Sequence, residues 1–171
     1  LTYTLNNVIY ARTHTFRVLA VTQRGNSPYS AEETKLCSSI PGKPLSPPTI
    51  IKASTTKTQV AFEYIPVTTT NGSPITKYMI YIDDDITFPS PTSIDNALNT
   101  QYTYTTSIVA GTKYYVKYSA VNANGEGPQS APSLAMIAAE IPSAPQNIAK
   151  VVDSTVLVNT IKVQWETPSD D

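Results

Sequence analysis

The sequence predicts an all-β chain built of two-sheet sandwiches, and three observations carry the prediction. The 171 residues include 14 Pro and 11 Tyr among abundant Thr and Ser, a composition of many strands and turns with few helix formers. Several segments alternate apolar and polar residues with period two, the mark of a strand that buries one face. The chain also repeats itself. Residues 11–30 lie on residues 111–130 at a constant offset of 100, so that Phe16 matches Val116, Val18 matches Tyr118, Ala20 matches Ala120, and Gly25, Pro28 and Ser30 match Gly125, Pro128 and Ser130.

Taken in order, Leu1–Leu5 alternates and reads as a strand, Asn6-Asn7 turns the chain, Thr13–Thr22 is the next strand, Gln23–Ser27 a turn and Glu32–Cys37 a last strand. Ile40-Pro-Gly-Lys-Pro44 is a linker, because its prolines block helix and break sheet pairing; Ile141-Pro-Ser-Ala-Pro145 repeats it. Between the linkers, strands are expected at Thr49–Ser54, at Thr58–Tyr64 with Thr58, Val60 and Phe62 on one face, and at Ile75–Ile82 with Tyr78, Ile80 and Ile82 on one face. Residues 83–100 are irregular with one short edge strand, and Gln101–Thr105 is a strand. Residues 108–130 form a corner, a strand with Tyr114, Val116, Tyr118 and Ala120 on one face, and a Gly-rich hairpin at Asn124-Gly125, since Asn and Gly tolerate positive φ. Thr160–Pro168 repeats Thr58–Pro66 and sets Trp165 where Phe62 sits, the two expected to be buried at matching places between sheets. The domain map is therefore 1–40 as the C-terminal part of one unit, 41–142 as a complete unit, and 143–171 as the N-terminal part of a third. The incomplete ends are read as cut from domains completed by chain outside this window, although residues 143–171 themselves bring no strand to face Trp165.

Charged residues make up only 15% of the chain and the net charge is −1, which argues against a nucleic-acid surface or a polybasic membrane patch, both of which need clustered Lys and Arg. No run is long enough to span a bilayer as a helix. Residues 1–20 lack the pattern of a signal peptide, and since the chain begins inside a repeat that absence carries no information. The single cysteine, Cys37, cannot form an internal disulfide.

These residues resemble tandem fibronectin type III repeats. Pro142-Ser-Ala-Pro145, Trp165, Pro168, Ile108, Gly111-Thr112, Tyr114, Ala120-Val121-Asn122 and Gly125-Glu-Gly-Pro-Gln-Ser130 fit that family's pattern. Phe62 stands where Trp is usual, Ala110 where Pro is usual, and in the first unit His14 and Ala11 replace the corner Tyr and Gly. The resemblance implies an immunoglobulin-like sandwich with strands A, B and E in one sheet and C, C′, F and G in the other. It implies a structural role for Tyr114, whose hydroxyl should bond backbone upstream of strand F, and a core or corner role for His14. Its function would be spacing and protein binding, with neighbouring repeats and other, unidentified proteins as partners.

No residue pattern points to catalysis. His14 is the only histidine, and neither a triad nor a metal-ligand spacing accompanies it. Asp83-Asp84-Asp85 lacks the alternating acids of a calcium loop and reads as a solvated turn. Arg24-Gly25-Asn26 sits in a hairpin where one member of the family presents Arg-Gly-Asp to integrins, but Asn26 has no carboxylate for a receptor's metal ion. Asn71-Gly72-Ser73 is the one N-glycosylation sequon, and Pro74 behind it favours an ordinary Asn-Gly turn. Tyr81 and Tyr115 are expected on the open sheet face. No cofactor and no metal is expected. The reading is a non-enzymatic scaffold module of a larger adhesion, matrix or cell-surface protein. Its rivals are an intracellular repeat of a cytoskeletal or ciliary assembly and an accessory spacer of a secreted enzyme.

Overall fold

The computed structural model describes residues 1–151 and 161–168. Alternation becomes strand wherever a partner strand is at hand. In the middle unit β5 (Thr49–Ile50), β6 (Val60–Glu63) and β9 (Gln101–Tyr104) form one antiparallel sheet. The second sheet runs β11-β10-β7-β8, from β7 (Ile75–Asp83), β8 (Thr92–Asp95), β10 (Lys113–Asn122) and β11 (Gly125–Glu126), and β12 (Met136–Ile137) pairs with the start of β10. The two sheets are the A-B-E and C′-C-F-G layers of an immunoglobulin-like sandwich.

Their inner faces make the core. Val60, Phe62, Ile80, Val116 and Ala120 are each 0% exposed, and Ile82, Tyr118 and Met136 are nearly so. In register, Phe62 sits beside Tyr102, Ile80 beside Tyr118 and Ile82 beside Val116, so each sheet offers contiguous apolar rows to the other. Three tyrosines close one end. The Tyr64 ring lies 4.4 Å from Tyr118 and 5.3 Å from Tyr78, centroid to centroid. Their hydroxyls are all satisfied: Tyr64 donates to Asn99 O at 2.7 Å, Tyr118 donates to Ile65 O at 2.7 Å, and Tyr78 accepts from Val67 N–H at 3.2 Å. Tyrosine suits such a site because an apolar body ends in a group that must find a partner.

Strand β10 is bonded on its far side to a segment that is not a regular strand. Ser130 N–H donates to Tyr118 O, while Tyr118 N–H donates to the Ser130 hydroxyl at 3.1 Å. Ser133 repeats this arrangement on Val116, at 3.0 Å. The serine side chains take the place of main-chain carbonyls.

The first unit reproduces these bonds 100 residues earlier. Val18 N–H donates to the Ser30 hydroxyl at 3.0 Å and Ser30 N–H donates to Val18 O. Ala11 N–H donates to Cys37 O as Gly111 N–H donates to Ala138 O, and Ala11 adopts φ 62° where Gly111 has 79°. The expected strand Thr13–Thr22 is split into β1 (Thr13–Phe16), paired with β4 (Glu33–Leu36), and β2 (Val21–Thr22), which forms a hairpin with β3 (Gly25–Asn26). Leu1–Leu5 is not a strand. The physical reason is common to both. Residues 117–120 are held by β7 and residues 101–104 by β6, and the first unit has no counterpart of either among the described residues.

Two further expectations are corrected. Thr49–Ser54 is strand only over its first two residues and then turns into a short 3-10 segment, Lys52–Ser54, after which the Thr55 hydroxyl bonds both Ile51 O and Ala61 O. Trp165 is 58% exposed whereas Phe62 is fully buried. It lies on β14 (Val163–Glu166), which pairs with β13 (Gln146–Lys150), and among the described residues no second sheet covers that hairpin. The expected start of this strand at Thr160, and the loop ending at Asp171, lie outside the described residues.

Candidate functional site

In this chain the most elaborate polar construction lies at the joint between the first and middle units. Linker residues Ser38–Gly42 run between two turns of the middle unit: the loop after β6, residues 69–73, and the β10–β11 hairpin. The Asn122 side chain, 4% exposed at the end of β10, donates to Ser39 O at 2.8 Å, Thr70 O at 3.2 Å and Ser73 O at 3.4 Å. Asn124 Nδ2 donates to the Ser38 hydroxyl at 3.1 Å and to Ser39 O at 3.2 Å. Asn71 Nδ2 donates to Ile40 O at 2.8 Å, and Asn71 O accepts from Ser39 N–H at 3.0 Å. Gly42 N–H donates to Thr69 O at 2.8 Å, and Pro41 is fully buried.

The main chains approach closely enough to require glycine twice. A Cβ on Gly127 would stand 2.5 Å from Pro41 O. A Cβ on Gly72, whose φ is +84°, would stand 2.8 Å from Ala11 Cα and from Cys37 O. Gly72 therefore seats the middle unit directly on the backbone of the first. Contacts of that kind fix the relative direction of two units more firmly than side-chain contacts, because backbone cannot rotate away. The second linker is built differently: Ile141 is 74% exposed and residues 140–145 are exposed throughout.

The open face of the β11-β10-β7-β8 sheet is a polar and aromatic surface. Tyr81 donates to Glu126 Oε1 at 2.6 Å, and the Ser119 hydroxyl donates to the same oxygen. Burial and the nearby Glu126 carboxylate both push the Tyr81 hydroxyl pKa up. Lys117 Nζ sits 3.9 Å from the Phe88 ring centroid, and Lys77 bonds Asp95 at 2.7 Å.

The remaining residues singled out in the sequence fall as follows. Tyr114 is 7% exposed at the start of β10, and its hydroxyl accepts from Val109 N–H at 2.9 Å. His14 is half-buried on β1, its ring 6.5 Å from Phe16, and its buried Nε2 has no hydrogen-bond partner among the described residues. It lines an open groove of about 740 Å³ with Leu5, Val8, Phe16 and Leu36, the face that a second sheet covers in the middle unit. Phe62 is at the core centre and Trp165 on the surface, far apart in role despite their matching strands. Asn71 lies inside the joint, its amide donating to Ile40 O. Asp83 and Asp85 cap their own loop: Asp83 Oδ1 accepts from Asp85 N–H, Asp83 Oδ2 from Ser90 N–H, and Asp85 Oδ1 from Thr87 N–H and hydroxyl. The bonds from Thr87 hold the Asp85 carboxyl below its usual pKa. Arg24-Gly25-Asn26 forms the exposed β2–β3 turn. Cys37 is half-buried at the joint. In the sequence Asn122 belongs to the family pattern and Asn124 to the hairpin turn; nothing local there marks either side chain as a tie to the linker.

The two-sheet sandwich, its strand order and the corner around Tyr114 define the class. The fibronectin type III domain model matches residues 46–135, and the chain belongs to that family. Among curated proteins, protein sidekick-1 of Gallus gallus is 27% identical over an alignment covering 96% of this chain and 8% of that protein. Among solved structures, the FN1–FN3 domains of chicken CNTN1 align over 96% of this chain and 55% of theirs, with a TM-score of 0.52 at 17% identity. Domains A168–A170 of titin align over 80% of this chain and 51% of theirs, with a TM-score of 0.51 at 19% identity. At those identities the structural likeness shows the fold.

Proposed function

We propose that the chain is a tandem run of fibronectin type III units whose work is non-enzymatic: it sets the distance and angle between neighbouring units and so presents their open faces to other proteins at a cell surface or in the matrix. The units are residues 1–40, 41–142 and 143–171, the outer two carrying strands E-F-G and A-B of the fibronectin type III pattern. The observation that carries this reading is the joint, where three asparagine side chains and the Gly127–Pro41 contact tie the linker to the middle unit and Gly72 seats that unit on Ala11 and Cys37 of the first. A linker meant only to connect needs no such ties; interfaces between successive domains are otherwise small and mobile. The Tyr81–Glu126–Lys117 face supplies the mixed aromatic and charged character from which protein interfaces draw.

The test is the width of the inter-unit distance distribution. Spin labels at exposed positions Gln23 and Ser93, in a Cys37→Ala background, should give one narrow distribution, and Asn122→Ala should broaden it. A broad distribution in the parent chain would overturn the spacer reading.

A further inference from the structure

The chain contains two Asn-Gly dipeptides, Asn71-Gly72 and Asn124-Gly125. Both lie in the joint, on opposite sides of the linker, and both amides donate to linker carbonyls. We propose that Asn71 and Asn124 are sites of spontaneous deamidation and that the conversion releases the joint. The consequence for spacing rests on the proposed function; the chemistry does not.

The step needs no enzyme. Glycine has no Cβ to shield the following amide nitrogen. The main-chain N of Gly72, having given its proton to solvent base, attacks Cγ of Asn71. The Cγ–Nδ2 bond breaks, Nδ2 leaves with a proton as ammonia, and a five-membered imide closes. Water then opens either carbonyl, giving aspartate or isoaspartate. The same sequence of bonds applies at Asn124 with Gly125.

At position 124 a carboxylate loses the bond to Ser39 O while it keeps accepting from the Ser38 hydroxyl, and at position 71 each product is incompatible with the closed joint. A carboxylate at position 71 sets an acceptor against Ile40 O, where a donor now stands at 2.8 Å, and two acceptors with no proton between them repel. Isoaspartate is worse, because it lengthens the main chain by one carbon at a turn that has no room. At Gly72, Ala11 Cα and Cys37 O already stand 2.8 Å from where even a Cβ would be. The closed joint in turn restrains the amides, so reaction proceeds through its open form and its rate follows how often the joint opens. Asn124 is exposed and held by bonds of 3.1 and 3.2 Å, while Asn71 is half-buried and held at 2.8 Å. Asn124 should therefore convert first.

The experiment uses the full chain held in mildly alkaline buffer at body temperature, with peptide mass spectrometry of each asparagine and amide hydrogen exchange of Ser39, whose N–H donates to Asn71 O. Conversion should be confined to Asn124 and then Asn71, and faster for both in urea. The variants Asn71→Asp and Asn124→Asp should speed Ser39 exchange about tenfold or more relative to the parent. Asn71→Gly, which keeps the left-handed backbone but brings no charge, should have a smaller effect. Below about pH 4, where a carboxyl regains its proton and can donate to Ile40 O, Asn71→Asp should recover towards the parent at the same pH. Asparagines outside the joint converting first would overturn the proposal. So would aspartate variants whose Ser39 exchange stays within about twofold of the parent. A broad inter-unit distance distribution in the unmodified chain would sink the spacer reading alone.

Discussion

Replacing Ser130 by alanine isolates the contribution of a side chain that stands in for main chain. The Ser130 hydroxyl accepts from Tyr118 N–H at 3.1 Å and donates to Ala131 O at 2.8 Å. Tyr118 is 1% exposed and Ser130 4%, so no water replaces the lost oxygen without the ribbon opening. A buried donor left without a partner costs about 1–3 kcal/mol. Spread over a domain of this size, each kcal/mol lowers the melting temperature by about 4–8 °C. Ser133→Ala acts on Val116 N–H in the same way, and the double variant should lose roughly 2–6 kcal/mol of a total stability of about 5–15. Far-UV circular dichroism during thermal and urea unfolding is the appropriate assay. Tryptophan fluorescence would mislead, because the sole Trp165 lies outside the middle unit and is already 58% exposed. Ser93→Ala, at an exposed position of β8, is the control and should stay within about 0.5 kcal/mol of the parent. If Ser130→Ala matches that control, the hydroxyl is not substituting for a carbonyl and the account of the ribbon is wrong.

Phe62→Ala should cost about 3–5 kcal/mol in the same assay, the range for emptying a fully buried aromatic site; a loss under about 1 kcal/mol would mean that the core collapses to fill the space. Burial pushes Tyr64 and Tyr118 up to about 12. Their native pKa lies above the ordinary tyrosine value near 10, so the stability they confer is complete below about pH 10 and is lost as pH rises towards 12. Urea midpoints across that window should fall, and Tyr118→Phe should flatten the fall; a flat parent profile would contradict the assignment. Residues 42–139 alone should unfold in one cooperative transition, because they carry strands for both sheets. Failure of that piece to fold, with a concentration-dependent single step in the full chain, would show that the ends belong to the fold.

Where the chain could be read from its sequence, one-sided burial was the reason. Tyr78, Ile80 and Ile82, and Tyr114, Val116, Tyr118 and Ala120, alternate because the facing sheet removes every second side chain from water. Ser119 escaped that logic: it lies on the outer face yet is 0% exposed, covered through Glu126, which also takes the bond from Tyr81. Leu1–Leu5 has the same alternation as a true strand, but a strand exists only with a partner, and period alone does not supply one. The joint was invisible for a different reason. Asn122 meets Ser39 across 83 residues of sequence, and no local pattern encodes such a distance. What was legible was the family to which the corner and hairpin belong, with the sandwich that follows from it.

The serine-and-proline ribbon beside β10 also bears on how such units coexist. Units strung on one chain meet each other at effective concentrations that short linkers raise to the millimolar range, where bare strand edges pair and aggregate. Here the edge that follows the hairpin is ragged. Ser130 and Ser133 turn their hydrogen-bonding groups inward to β10, Pro128 and Pro132 have no N–H to offer, and only Met136–Ile137 pairs regularly. Pro28 and Ser30 take the same places in the first unit. An incoming strand finds no continuous template along that stretch. The feature that looks like an imperfect strand leaves this edge of the sandwich without a template for edge-to-edge pairing.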